Sequence, residues 1–191
     1  MYILYKSFYI EMLRIAKRGV EKVLRNIDHT HGYDHALRVY DHAWHALQYE
    51  DLSPVEEIEV LLAALLHDVD DRKFFHSKNY ENARAILDTC KGMESISTDN
   101  VITMIDLVSA FKNGNRATNV PQWMLIPRHA DRLESTGRFG IQRCIEYSRY
   151  IKRPIFLAST PRVHSAEELE IIARPRFAEY LKVGESASAI D

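Results

Sequence analysis

Apolar positions recur every three or four residues along most of this chain, the period of helices with one buried face. From Met1 to Asn26, Leu4, Phe8, Met12, Ile15, Val20, Val23 and Leu24 fall on or near one face, and Lys6, Glu11, Arg14 and Lys17 interrupt them. A second amphipathic helix is expected over roughly His35–Tyr49, with Asp34 as its cap after a turn at Gly32. Its apolar stripe is Ala36, Val39, Ala43, Ala46 and Leu47. A third opens at Ser53-Pro54-Val55-Glu56, where Ser53 is the N-cap, Pro54 the first helical residue and Glu56 the capping-box partner. It runs through Ile58, Leu61, Leu62, Leu65 and Leu66 to His67-Asp68.

Further helices are expected over Tyr80–Cys90, ended by Gly92, and over Ser97–Phe111, followed by a polar loop from Lys112 to Val120. Pro121 starts another piece that Pro127 shortens or kinks. Gly137 and Gly140 mark a turn before a helix over Ile141–Ile151. Pro161 marks a loop, Ser165-Ala166-Glu167-Glu168 a second capping box, and Pro175 a split in the last helical stretch; residues 184–191 read as a frayed tail. No alternating run argues for a strand, and no repeat or linker interrupts the pattern. The expected architecture is a single all-α domain over residues 1–191, with residues 1–26 as its N-terminal helix.

The polar residues break this pattern in three places. Leu61 to Leu66 carry no charge and end abruptly in His67-Asp68-Val69-Asp70-Asp71. Burying an imidazole and a carboxylate unpaired costs several kcal/mol, on the order of 2–7 for a polar group alone, so a compensating partner is required. A divalent cation suits both side chains; a histidine capping the helix end beside a solvated aspartate is the plainer alternative. On the second helix His31, His35, Arg38, His42 and His45 follow one another at steps of four and three. If helix reaches back to His31, they share one face, the wall of a cleft rather than a solvated surface. The third place is Arg128-His129-Ala130-Asp131-Arg132-Leu133-Glu134, where an apolar segment again ends around a carboxylate.

Composition narrows the partners. The 191 residues are 46% hydrophobic and 27% charged, with a formal net charge of -2. There is no basic stripe to argue for nucleic acid, and no apolar run of membrane-spanning length, about 20 residues. Cys90 and Cys144 have no metal or disulfide spacing, which fits a reducing, cytoplasmic setting.

His35 with Arg38-Val39, then Leu65-Leu66-His67-Asp68, then Ala130-Asp131-Arg132-Leu133 resemble, in that order, the motifs of the HD-domain metal-dependent phosphohydrolases. The likeness extends to the small bacterial YpgQ/YedJ-like branch. It adds His31 four residues before the first ligand, Asp71-Arg72-Lys73 after the His-Asp pair, two glycines followed by Ile141-Gln142-Arg143, and Arg176-Phe177-Ala178-Glu179-Tyr180-Leu181 near the C-terminus. His129, His42, His45 and Arg176 depart from that branch's usual residues.

The resemblance implies a compact HD-type helical domain with its metal site in a central cleft. His35, His67, Asp68 and Asp131 would be the ligands of one divalent ion, with Mn, Mg, Co, Ni, Zn and Fe not distinguished by this ligand set. The histidines between the HD pair and Asp131, His76 and His129, lack the spacing of two-metal members, which implies hydrolysis rather than oxidation. The ion would polarise a phosphoryl group and activate water. Arg38 and Lys73 would hold phosphates, Asp71 would orient or deprotonate the water, and His31 would share that role or protonate the leaving group. The implied activity is hydrolysis of a nucleotide, foremost a nucleoside triphosphate to monophosphate and pyrophosphate. The alternatives are a nucleoside monophosphate phosphatase, or a catalytically silent nucleotide-sensing module with a structural metal.

Overall fold

A computed structural model of the chain describes residues 2–27, 31–90, 96–113 and 119–152. These belong to the unit Met1–Arg153. Among the described residues all regular structure is helical, as the periodicity requires. The helices are α1 (Tyr2–Leu24), α2 (Tyr33–Ala46), α3 (Pro54–Leu66), α4 (Glu81–Thr89), α5 (Thr98–Val108), α6 (Ala110–Asn113), α7 (Ile126–Leu133) and α8 (Gly137–Tyr150). No helix among them is long and apolar enough to cross a membrane.

α3 is the axis of the fold, packed by α1, α2, α5 and α7. Every residue from Ile58 to Leu66 is buried, as expected of a helix that is apolar all round. Leu62, Leu65 and Leu66 are wholly inaccessible, each stabilising the fold by about 1.5–3 kcal/mol. Its start is the expected capping box: Glu56 N–H donates to Ser53 Oγ, and Ser53 N–H returns a bond to Glu56 Oε2 at 2.8 Å. Glu59 is the one charge within the buried run. It accepts from Ser97 N–H at 2.7 Å and Asn100 Nδ2 at 2.9 Å, so it is answered by the N-terminus of α5.

Several boundaries differ from the sequence expectation. α2 begins at Tyr33 with Gly32 as N-cap, which places Asp34 inside the first turn, and the chain tightens to a 3-10 turn at Leu47–Tyr49. His31 precedes the helix in a turn, so the five polar residues do not form one helical face, and His45 is exposed with Nδ1 facing Gln48. In α1 it is Tyr9, not Phe8, that turns inward; Phe8 is 42% exposed. Lys112 and Asn113 are helical rather than loop. Pro127 sits at the start of α7, after a 3-10 turn at Gln122–Leu125, so it begins a helix instead of kinking one. Gly137 and Gly140 lie inside α8 rather than in a turn before it. The second capping box, the split at Pro175, the segment Arg176–Leu181, the tail 184–191 and Gly92 lie outside the described residues.

Candidate metal centre

α2, α3 and α7 pack against one another in all three pairings. Each brings part of one cluster to their junction. His35 comes from the first turns of α2, and Asp131 from α7. His67 is the C-cap of α3, and Asp68 follows it. The helix therefore ends where its side chains must change from apolar to ligating.

Four donor atoms converge there. His35 Nε2 lies 3.3 Å from His67 Nε2, 3.2 Å from Asp131 Oδ1 and 3.7 Å from Asp68 Oδ2. His67 Nε2 lies 3.4 Å from Asp68 Oδ2 and 3.8 Å from Asp131 Oδ1. His35, His67 and Asp68 are placed to hold a metal ion, and Asp131, also named from the sequence, lies beside the two imidazoles. The nitrogens are correctly presented. His67 Nδ1 donates to Ala64 O at 2.7 Å, which leaves the lone pair on Nε2, facing the cluster.

The electrostatics also call for a cation. Burial opposes the charge on Asp68, but His67 outweighs it and holds the carboxyl well below the usual range. Asp131 is likewise lowered, burial being outweighed by its bond to His35 and by His67. Burial works against protonating His67 too, yet Asp68 and Asp131 push it up to about 9. Two largely buried carboxylates held ionised draw positive charge to this point.

The remaining sequence candidates divide. His31 and Lys73 meet beside the cluster. Lys73 Nζ donates to His31 Nε2 at 3.4 Å, and the His31 ring packs against His35 with centroids 6.2 Å apart. Burial pushes the His31 pKa down, so this ring is a neutral acceptor for Lys73. Asp71 is occupied in positioning Lys73: it accepts from that residue's backbone N–H at 2.9 Å and pairs with Nζ at 3.2 Å. Arg38 is bound to Glu134 Oε2 through Nε at 2.6 Å. Asp70 accepts from the N–H groups of Asn82 and Ala83, capping α4. His129 is exposed.

Two residues without a role in the sequence reading belong to this site. Glu134, 4% exposed, accepts from Arg38 and from His42 Nε2 at 3.1 Å, and its Oε2 faces His35 Nδ1 at 3.6 Å. Burial would raise its pKa, but these partners hold it well below the usual range. It stands three residues after Asp131 on the same helical face, a spacing that could have marked it. Arg143, from α8, donates through Nη2 to His35 Nε2 at 3.1 Å. Tyr147, one turn further along α8, packs on His31 with centroids 5.2 Å apart.

No family model matches the chain. The chain is 41% identical over 197 aligned positions to the uncharacterized protein L803 of Acanthamoeba polyphaga mimivirus, covering 96% of this chain and 81% of the viral protein. Among solved structures it is similar to a Lactobacillus plantarum protein from structural genomics, with a TM-score of 0.62 and 24% identity, over 90% of this chain and 81% of the other. That likeness shows a shared fold. Together with the His–Asp cluster it fits the HD-like helical arrangement.

Proposed function

The chain belongs to the same family as the mimiviral protein L803, and from its site we propose that it is a metal-dependent phosphohydrolase of the HD type acting on nucleotides. The observation that carries this reading is a pair of imidazoles whose Nε2 atoms each lie within 3.8 Å of both carboxylates, with Arg143 3.1 Å from His35. His35, His67, Asp68 and Asp131 would hold one divalent ion. Once bound, that ion would supply Lewis-acid polarisation of a phosphoryl oxygen and a lowered pKa for water.

The chain's own groups account for the rest. Lys73, aimed by Asp71, binds phosphate oxygens outside the ion's reach and offsets charge that builds on the leaving group. His31 holds Lys73 through its Nε2 lone pair, and that lone pair becomes available to a proton only once Lys73 turns to a phosphate oxygen. Glu134 Oε2 places its charge 3.6 Å from His35 Nδ1, and Arg38 and His42 hold Glu134 there. Paired cations beside a cluster of ligands suit a substrate with several anionic oxygens. A nucleoside triphosphate, cleaved to monophosphate and pyrophosphate, is the substrate we favour.

The test is phosphate and pyrophosphate release from a panel of nucleoside mono-, di- and triphosphates. Metal-stripped protein receives Mn, Mg, Co, Ni, Zn or Fe in turn, with Asp68→Ala alongside. Metal-dependent pyrophosphate release lost in the variant supports the full reading. Phosphate release from monophosphates would replace the substrate while keeping the chemistry. No turnover with any metal would overturn the proposal.

A further inference from the structure

A histidine binds a metal ion through a lone pair, and the lone pair on His35 Nε2 already has a taker. Arg143 Nη2 donates to it at 3.1 Å, at the atom where the donors of Asp131 and His67 come within 3.2 and 3.3 Å. A guanidinium carries only donors and stays charged throughout the pH range of a folded protein. It therefore answers the carboxylates of this cluster as a cation does. One lone pair serves one partner, so Arg143 and a metal ion cannot both use His35 Nε2.

We propose that Arg143 is an exchangeable arm: it neutralises the cluster while metal is absent, yields His35 to the ion, and then binds a phosphoryl group of the substrate. This rests on the phosphohydrolase reading and gives it a specific anion-binding residue. After exchange the arm and the ion are two positive charges sharing one wall of the site. That repulsion is relieved when an anionic group with several oxygens comes between them. The planar fork of an arginine matches two oxygens of one phosphoryl group. Position supports the same role. Arg143 and Tyr147 lie one turn apart on α8, and Tyr147 packs on His31, which is bonded to Lys73. Lys73 also lies over the Tyr147 ring, 5.7 Å from its centroid. One helix thus carries the arm to His35 and closes against the second cation, as a polyphosphate requires.

The experiment uses the full chain as wild type, Arg143→Met and Arg143→Lys. Zn(II) affinity is measured by competition with a chelating dye, and pyrophosphate is then titrated calorimetrically onto the metal-loaded proteins. Removing the arm should tighten Zn(II) binding several-fold and weaken pyrophosphate about tenfold or more. Arg143→Lys should recover part of the pyrophosphate affinity. Opposite signs for the two ligands are not what general destabilisation produces. Unchanged or weaker metal binding in Arg143→Met, or unchanged pyrophosphate binding, overturns the proposal. If wild type takes up no metal, the phosphohydrolase reading falls with it; if wild type binds both ligands and the variant matches it, only the arm falls. Should Arg143→Met fail to fold, the wild-type chain decides. Its Arg143 Nε–H resonance moves on Zn(II) addition if the arm exchanges, and stays in place if it does not.

Discussion

Replacing Glu134 by glutamine tests whether the site depends on a charge that touches no substrate. Glutamine keeps the shape and one acceptor oxygen but removes the negative charge that three groups face. Two of them, Arg38 at 2.6 Å and His42 at 3.1 Å, have side chains 36% and 39% exposed, so water screens their share to about 0–1 kcal/mol each. The third, His35 Nδ1 at 3.6 Å, is wholly buried, and its share is felt at the metal rather than in the fold. The fold should therefore lose at most about 2 kcal/mol. Metal affinity should fall about 10–100-fold, the usual effect of removing an outer partner of a ligating histidine.

Denaturant unfolding of the metal-free protein measures the first quantity, and chelator competition on the loaded protein measures the second. Arg38→Met is the control, because it removes the exposed arm and leaves Glu134 facing His35. It should reproduce most of the stability loss with metal affinity close to wild type. If Glu134→Gln loses stability but binds metal as tightly as wild type, the carboxylate is a structural clamp between α2 and α7, and the orientation of His35 does not depend on it.

Chelation should destabilise the wild-type chain but not Asp68→Ala. At a metal concentration 100 times Kd the difference is about 2.7 kcal/mol, a Tm shift of about 5–10 °C in a chain of this size, read by differential scanning fluorimetry. Gly140→Ala should lower Tm, although alanine ordinarily favours a helix over glycine by about 1 kcal/mol. The added Cβ would stand 2.2 Å from the Ser135 carbonyl oxygen, and a rise in Tm would show that this approach is not required.

The course of the chain was legible wherever a local signal coincided with the tertiary requirement. The uncharged run of α3 is read from its composition, and its start from Ser53, Pro54 and Glu56, because both act within one helix. The expected ligands His35, His67, Asp68 and Asp131 converge for the same reason: each stands where an apolar face gives out, and packing three such faces together brings their ends to one point. Where the reading failed, a rule had been extended across a boundary. The steps from His31 to His45 are helical, but Gly32 caps α2 and leaves His31 in the preceding turn. Local rules make breakers of Pro127 and Gly140, whereas one opens α7 and the other allows α8 to approach Ser135. Arg143 enters the sequence reading only within the Ile141-Gln142-Arg143 match, with no role at the site. Its place follows from α8 lying beside His35, 108 residues away in sequence, and no periodicity reports that distance.

His35 shows how these long-range partners complete the local pattern. A neutral imidazole has one N–H and one lone pair, and nothing within the ring decides which nitrogen carries which. Glu134 can only accept and faces Nδ1; Arg143 can only donate and binds Nε2. The two charges thus agree on one assignment, with the proton toward Glu134 and the lone pair toward the cluster. His67 reaches the same tautomer by a different route, through the Ala64 carbonyl of its own helix. Both rings are therefore oriented before an ion arrives, so an incoming ion need not order them. The cost is also local: on His35 an ion would have to displace Arg143, whereas His67 already turns Nε2 to the cluster. An ion that enters this site would accordingly free one arginine at the place where an anionic substrate would next be bound.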